Sequence, residues 1–95
     1  MQLKIKLREL GSSFGVILPK TLLELLDVRT GQFIDVKVGS GNFNMRKVIK
    51  IGASQGLIIT RPEATDLGVR DGHYLDIKLD GKKLVISSNG SKQVR

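Results

Sequence analysis

Two short segments combine glycines with small hydroxyl side chains in the way that phosphate-binding loops do. They are residues 11–15 (GSSFG) and residues 52–56 (GASQG). Glycine permits positive φ angles and close approach of the backbone, and backbone N–H groups together with serine hydroxyls are good donors to a phosphate. A tight turn that needs glycine for its geometry alone is the alternative. The two segments are therefore the first candidates for a phosphate-binding site.

A basic residue follows each segment near the start of a predicted helix. These residues, Lys20 and Arg61, fall in the first helical turn, where the positive end of the helix dipole disfavours a cation by about 0.3–1 kcal/mol. Function is expected where a local rule is broken at matched places, although a single exposed Lys or Arg at such a position is common. A helix start with a cation beside it favours the binding of an anion.

The chain repeats itself with an offset of 41 residues, because residues 6–38 align with residues 47–79 without a gap. A unit of about forty residues is too small to bury a stable core alone, so we predict that the two copies complete one core between them. Two copies in one core imply two equivalent sites on one face. The positions that recur include Gly11, Ser13, Gly15, Ile17, Val28, Gly31, Asp35 and Lys37.

Length and charge narrow the function classes. The chain has 95 residues, a formal net charge of +7 and no cysteine, so we expect one compact domain over residues 1–95 with no disulfide and no thiol nucleophile. Residues 1–45 carry six Lys/Arg against four Asp/Glu, and residues 46–95 carry ten against five. So basic a domain is attracted to polyanions, and a charged face that only keeps the protein in solution is the alternative.

Hydropathy gives no reason to expect a membrane or secreted protein. No stretch approaches the roughly 18 apolar residues of a membrane helix, and the N-terminus lacks the apolar centre of a signal peptide. We therefore expect a cytoplasmic protein that has no membrane partner.

Each half is predicted to fold as strand, loop, strand, helix, turn, strand, turn, strand. Apolar residues alternate with basic ones over residues 3–8, which is typical of a half-buried strand. Pro19 suits the first position of the first helix, and Thr60 with Glu63 has the spacing of a capping box at the second. The predicted class is mainly β with two short helices. Its units are residues 1–45 and residues 46–87, joined without a linker, and residues 88–95 are expected to be a mobile basic tail.

The remaining candidates for chemistry are weak, and we predict that the chain is not an enzyme and holds no cofactor or metal. His73 has no equivalent in the other copy and no ligand beside it, so it is expected at the surface. Asp35 and Asp76 suit cross-strand pairing with lysines better than acid–base catalysis. Phe33 and Tyr74 are predicted in the core. Two alternatives are open for Phe14, which either wedges against DNA or packs back onto the sheet.

The first unit resembles the SpoVT/AbrB family of swapped-hairpin DNA-binding domains, which includes bacterial transition-state regulators and MazE-type antitoxins. The matching stretch is RELGSS (residues 8–13) running into VILP (residues 16–19), followed by a helix over residues 21–26 and a strand over residues 33–38. The second copy is fainter, because Thr60 replaces the proline and Pro62 comes two residues later. Together the copies cover nearly all of residues 3–87.

The resemblance implies both a fold and a partner. Family members usually carry one unit per chain and dimerise by interleaving hairpins into a small β-barrel, so the resemblance implies that this chain forms a swapped-hairpin AbrB-like barrel as a pseudo-dimer of two tandem ββαββ units, either as a monomer or as a homodimer. The family binds duplex DNA with the basic end of the first strand and the loop after it, which implies a sequence-preferring DNA-binding protein and a transcriptional regulator. The implied DNA-binding residues are Lys6, Arg8, Ser12, Ser13, Lys20, Lys47, Lys50, Ser54, Gln55 and Arg61, with Lys6 and Lys47 on phosphates.

An antitoxin or partner-binding module, with a toxin as protein partner and autoregulatory DNA binding, is the alternative. MazE-type antitoxins occupy their toxin with a long acidic tail, whereas residues 91–95 (SKQVR) are basic, which disfavours a full-length antitoxin of that kind. Ile49 in place of Arg8 makes the two DNA-facing surfaces unequal, so an imperfect palindrome is the expected target.

Overall fold

The computed structural model describes residues 2–88, and its elements follow the predicted order in both halves. The first half contains four strands and one helix, and the second half contains the same. The elements are β1 (Gln2–Leu10), β2 (Ser13–Ile17), α1 (Lys20–Leu26), β3 (Phe33–Val38), β4 (Phe43–Lys47), β5 (Ile49–Ile51), β6 (Ser54–Ile59), α2 (Arg61–Leu67), β7 (Tyr74–Asp80) and β8 (Lys83–Ser87).

All eight strands form one sheet in the order β4-β3-β8-β7-β1-β2-β6-β5. Neighbouring strands are antiparallel except β3 and β8, which are parallel. The two outermost strands, β4 and β5, are consecutive in the chain and are separated by Val48 alone. The sheet therefore curls until its edges meet at Val48, and it encloses the core as a nearly closed barrel. The predicted mainly β class with two short helices is confirmed.

The pairing registers repeat with the 41-residue offset. Lys6 of β1 lies opposite Tyr74 of β7. Their equivalents in the other copy are Lys47 and Phe33, and these two residues lie opposite each other in β4 and β3. The Val16–Leu57 pair of β2 and β6 maps onto itself under the same operation. Residues 43–51 are therefore the equivalent of β1, and the β2–β6 pair lies at the centre of the repeated pairing pattern. Strand β8, which lies between β3 and β7, is not part of this pattern.

The core is entirely apolar among the described residues, because each strand turns alternate side chains inward. Leu7 and its equivalent Val48 are fully buried, as are Val16 and Leu57 at the centre of the sheet. A fully buried aliphatic side chain of this kind stabilises the fold by about 1.5–3 kcal/mol. The alternation also fixes which residues of β1 face outward, and the candidate site depends on that parity.

The two helices cover the barrel and are capped differently. Pro19 is the N-cap of α1, so the prediction that it occupies the first helical position is wrong by one residue, and Lys20 begins the helix. Pro19 has extended backbone geometry (ψ 146°) because the chain is still leaving strand β2. The capping box predicted for α2 is confirmed, since the Thr60 hydroxyl accepts from the Glu63 N–H and the Glu63 carboxylate accepts from the Thr60 N–H.

An ion pair between Arg46 and Glu63 bridges strand β4 and helix α2, close to the place where the sheet edges meet. Arg46 donates from Nη1 to Glu63 Oε1 at 2.9 Å and to the Ile58 carbonyl at 3.1 Å, and from Nη2 to Glu63 Oε2. Burial alone would raise the pKa of Glu63, but the hydrogen bonds from Arg46 and Thr60 and the Arg46 charge outweigh it, so the pKa lies below its ordinary value of 4.5.

Ser88 is the last described residue, and its hydroxyl donates to the Leu67 carbonyl at 2.5 Å. Of the expected mobile tail, residues 88–95, the structure describes Ser88 alone, and residues 89–95 lie outside the described residues. Within residues 2–88, neither helix is long and apolar enough to cross a membrane.

Candidate nucleic-acid interface

A row of cations lies on the outward face of strand β1. Lys4, Lys6 and Arg8 are all exposed because the residues between them, Ile5 and Leu7, are buried. Side chains two apart on a strand lie on the same face about 6.8 Å from each other, so the row follows the strand toward the hairpin turn at its end.

The cations of this row differ in how strongly the protein engages them. Lys4 Nζ forms an ion pair with Asp76 at 2.6 Å, and Lys6 Nζ lies 5.7 Å from the centroid of the Tyr74 ring. The Arg8 side chain has no hydrogen bond or ion pair to any other residue between 2 and 88. Its guanidinium, with five donors, is the free group of the row. Lys4 was missed as a candidate, although the period-two pattern already put it on the same face as Lys6 and Arg8.

The two glycine-containing segments are not open loops, because each contains a tight two-residue hairpin turn. Strand β1 ends at Leu10 and β2 begins at Ser13, which leaves a two-residue turn; β5 and β6 are joined in the same way. Gly11 (φ 60°) and Gly52 (φ 61°) supply the positive φ that such turns need. Ser13 and Ser54 therefore lie in strands, and Ser12 alone of the candidate serines is at a turn.

Gly15 and Gly56 serve close packing, since they lie inside strands and outside the positive-φ region. A Cβ at Gly56 would overlap the backbone oxygen of Val16, and a Cβ at Gly15 would overlap the Leu10 side chain. The Ile51 side chain lies over both glycines. Glycine at these two positions lets the central strands approach and lets Leu10 and Ile51 cover them.

The outward face of the β1–β2–β6–β5 region has an apolar centre and a cationic rim. The register places Arg8 beside Gly15 and Gly15 beside Ile58. The equivalent row holds Ile17, Gly56 and Ile49. Among the ten predicted DNA-binding residues, this face brings together Lys6, Arg8, Ser13, Lys47 and Ser54, with Ser12 at its edge.

Arg61 is used within the protein. Its Nε donates to the Ser12 carbonyl at 2.8 Å, its Nη2 donates to the Gly11 carbonyl at 3.3 Å and pairs with Glu9 at 2.7 Å, and its guanidinium lies 4.9 Å from the Phe14 ring centroid. Phe14 is buried, so the alternative in which it packs back onto the sheet is correct. Arg61 thus fixes the first hairpin turn, and its carboxylate partner already neutralises it.

The equivalent place at the second hairpin holds uncompensated positive charge. Lys20 is the equivalent of Arg61 and Lys50 the equivalent of Glu9, and neither forms an ion pair with another residue between 2 and 88. Lys20 and Gln55 line a cleft of about 300 Å³ beside the second turn. These residues lie on the helix side of the sheet because Lys50 and Gln55 share the parity of Val48 and Leu57. They form a second group, apart from Arg8.

Phe33 and Tyr74 are half exposed, at 52% and 50%, so the prediction that they belong to the core is wrong. Ile34 and Val36 of β3 face inward, which turns Phe33 outward, and the same parity acts on Tyr74. A lysine lies across each ring: Lys47 is 5.8 Å from Phe33 in the same arrangement as Lys6 over Tyr74. The alternation of buried and exposed residues along each strand already predicts that Phe33 and Tyr74 face outward.

Asp35, Asp76 and His73 interact with neighbouring residues of the fold. Asp76 pairs with Lys4, and Asp35 lies 3.8 Å from Lys83 on the neighbouring strand, which confirms the predicted cross-strand pairing. The His73 Nδ1 accepts a hydrogen bond from the Arg70 N–H at 3.1 Å within a turn. No group of three or more His, Cys, Asp or Glu in the described part of the chain could hold a metal ion.

The chain matches no protein-family model, no curated protein and no solved structure. The resemblance to the SpoVT/AbrB family therefore rests on the residues of this chain, and the function has to be argued from its surface.

Proposed function

We propose that this chain is a cytoplasmic duplex-DNA-binding protein and a transcriptional regulator, built as a swapped-hairpin pseudo-dimer of the SpoVT/AbrB type. The observation that carries the proposal is the row of Lys4, Lys6 and Arg8 on β1, which leads to the exposed turn Gly11–Ser12. Cations on phosphates supply most of the sequence-independent affinity for DNA, because each neutralised phosphate releases counterions.

The hairpin end of β1 and β2 suits the major groove, which admits a two-stranded β-ribbon. The two strands are interior strands of the sheet, but the pairing of β1 with β7 ends at Lys6 and that of β2 with β6 begins at Phe14. The end beyond this pairing carries Arg8 and Ser13 on its outward face and Ser12 at its tip. In this arrangement Lys6 contacts phosphates, whereas the unpaired Arg8 guanidinium and the serine hydroxyls reach base edges.

The second ribbon, β5 with β6, contributes less to DNA recognition. Lys47 repeats Lys6, but Ile49 stands where Arg8 stands in the first ribbon. Lys20, Lys50 and Gln55 lie on the helix side and contact the backbone of DNA only where it bends past the second hairpin. The proposal therefore gives the chain an asymmetric target in which one half-site is read more strictly.

Selection from random duplexes, followed by affinity measurements at several salt concentrations, tests the proposal. We expect a preferred sequence and a steep fall of affinity with salt. The double variant Lys6→Ala with Arg8→Ala should lose at least about tenfold in affinity, lower the salt slope by about one through the lost Lys6 phosphate contact, and relax the sequence preference through the lost Arg8 base contact. Lys78→Ala with Lys83→Ala removes the same charge from β7 and β8 and is the matched control. Equal losses in the two double variants, or selection without a preferred sequence, would contradict the proposal.

A further inference from the structure

The outward faces of two equivalent strands have opposite chemistry. Strand β1 presents Gln2, Lys4, Lys6 and Arg8, and the segment β4–β5 presents Phe43, Met45, Lys47 and Ile49 at the positions 41 residues later. The backbone register is the same in both cases. Three polar or cationic positions are therefore apolar in the second copy, although nothing in the strand pairing requires the change.

These apolar residues form one surface, which we call the β4 patch: Phe33, Phe43, Met45, Ile49 and Ile58. Met45 is 62% exposed, the largest value among the large apolar residues that the structure describes. A mostly apolar cleft of about 310 Å³ opens between Ile49 and Ile58. Lys47 lines this cleft and also lies over the Phe33 ring, so it joins the cleft to the exposed rings of β3 and β4.

Positive charge surrounds the β4 patch. Lys37 and Lys83 lie 6.0 and 4.9 Å from the Phe43 ring centroid, and Lys47 lies over Phe33. Asp35 is the one acid on the same strands, and Lys83 faces it at 3.8 Å. A partner for this surface must therefore supply both apolar side chains and carboxylates.

Charge and composition exclude the other occupants that the surface suggests. A second copy of this chain, with a net charge of +7, would bring cations against cations. Duplex DNA would leave Met45 and Phe33 without apolar contacts. Exposed Met and Phe residues are enriched where proteins bind other proteins.

We propose that the β4 patch docks an extended segment of a partner protein in which acidic residues alternate with large apolar residues. Strand β4 pairs with β3 alone in the sheet, and Arg46 links its other side to the Ile58 carbonyl of β6. A segment that lies on the outward face of β4 would place apolar side chains on Phe43, Met45 and the Ile49–Ile58 cleft, and carboxylates against Lys37, Lys47 and Lys83. This inference does not depend on DNA binding, because the β4 patch lies on the segment β4–β5 and not on strand β1.

Fluorescence anisotropy with a labelled peptide that alternates Glu or Asp with Leu or Phe tests the inference. The variant Phe43→Gln with Met45→Gln removes the two apolar contacts without changing the charge, and it should weaken peptide binding about tenfold or more while the melting temperature is kept. Leu25→Gln is the control, since Leu25 is 49% exposed on helix α1 outside the patch, and it should leave binding unchanged.

Amide chemical shifts measured during the titration locate the peptide, and we expect the changes to centre on residues 33–49. The inference is overturned if the peptide does not bind at about 1 mM, or if the double variant binds it as the wild type does. It is also overturned if a single-stranded oligonucleotide of equal charge binds this surface more tightly than the peptide, because the surface would then be a nucleic-acid site.

Discussion

Strand β1 and the segment β4–β5 are the same structural element with two different surfaces. Both are long, both pair in the same register, and both bury an aliphatic residue, Leu7 or Val48, at the same place. Outside, one is cationic and the other is apolar. The comparison teaches that the inward residues and the glycines specify the barrel, whereas the outward residues are free to differ, and both proposed binding surfaces are built from them.

The two copies also differ in chemistry at one pair of positions between the sheet and the helix. The first copy has the buried apolar residues Ile5 and Leu22 where the second copy has Arg46 and Glu63. The fold thus accepts either an apolar contact or an ion pair next to the place where the sheet edges meet. Matched substitutions in the two copies can therefore separate what the barrel needs from what its surfaces do.

The largest difference between equivalent positions is expected for the two central glycines. Gly56→Ala should lower the free energy of unfolding by about 2–3 kcal/mol, because its Cβ would overlap the backbone oxygen of Val16 and force β2 and β6 apart. Gly15→Ala should cost about 1 kcal/mol, because the Leu10 side chain can move away. Urea denaturation of both variants measures the difference, and equal costs would show that the backbone contact is unimportant.

Breaking the Arg46–Glu63 pair should have the next largest effect. Glu63→Gln leaves Arg46, whose side chain is only 17% exposed, without its carboxylate, and we expect a loss of about 1–2 kcal/mol. The double variant Arg46→Ile with Glu63→Leu introduces the residues of the first copy. It should be as stable as the wild type or more stable, since apolar packing often replaces a buried ion pair without loss. A double variant that is less stable than Glu63→Gln would contradict the equivalence of the two copies.

The contribution of Glu63 should also depend on pH. Its pKa is lowered by the hydrogen bonds and charge that outweigh burial, so its stabilising effect is complete above the ordinary value of 4.5 and is lost as the pH falls through the lowered pKa. The gap in unfolding free energy between the wild type and Glu63→Gln should be constant from about pH 7 to about pH 5 and should shrink toward about pH 3. A gap that widens on acidification would mean that the carboxylate is not held ionised.

The smallest effect is expected at the helix ends. Asp27 has φ 57° at the C-cap of α1, where the second copy has Gly68 with φ 72°. Asp27→Gly should stabilise the protein by no more than about 0.5 kcal/mol, because relief of the left-handed geometry is partly offset by the greater freedom of glycine in the unfolded chain. Gly68→Asp should destabilise it, and thermal melts of the pair give the sign of each change.

Much of the fold was predictable because the repeat doubles each local signal. The alternation around Ile5 and Leu7 and the capping box at Thr60 follow from periodicity and capping chemistry. The place of Phe33 in the alternation predicts that it faces outward, whereas its aromatic character alone suggests the core, and the alternation is the correct guide.

The site was less predictable because it depends on contacts between distant segments. Nothing near Arg61 in the sequence indicates that Glu9 and the Ser12 carbonyl engage it, and Gly56 looks like a loop glycine until Val16 is known to lie beside it. Strand order, which places β8 between β3 and β7, is likewise a property of the folded chain and not of any local pattern.

The central claim, that the cationic outward face of β1 binds DNA, is tested most directly by exchanging one pair of equivalent residues. Affinity for the selected duplex and for a duplex of unrelated sequence is measured for the wild type, Arg8→Ile and Ile49→Arg. We expect Arg8→Ile to weaken binding to the selected duplex by about 1–3 kcal/mol and to lower the ratio of the two affinities, whereas Ile49→Arg should strengthen binding to the selected duplex. If neither exchange changes the affinity or the ratio, strand β1 is not the DNA-binding element and the claim is wrong.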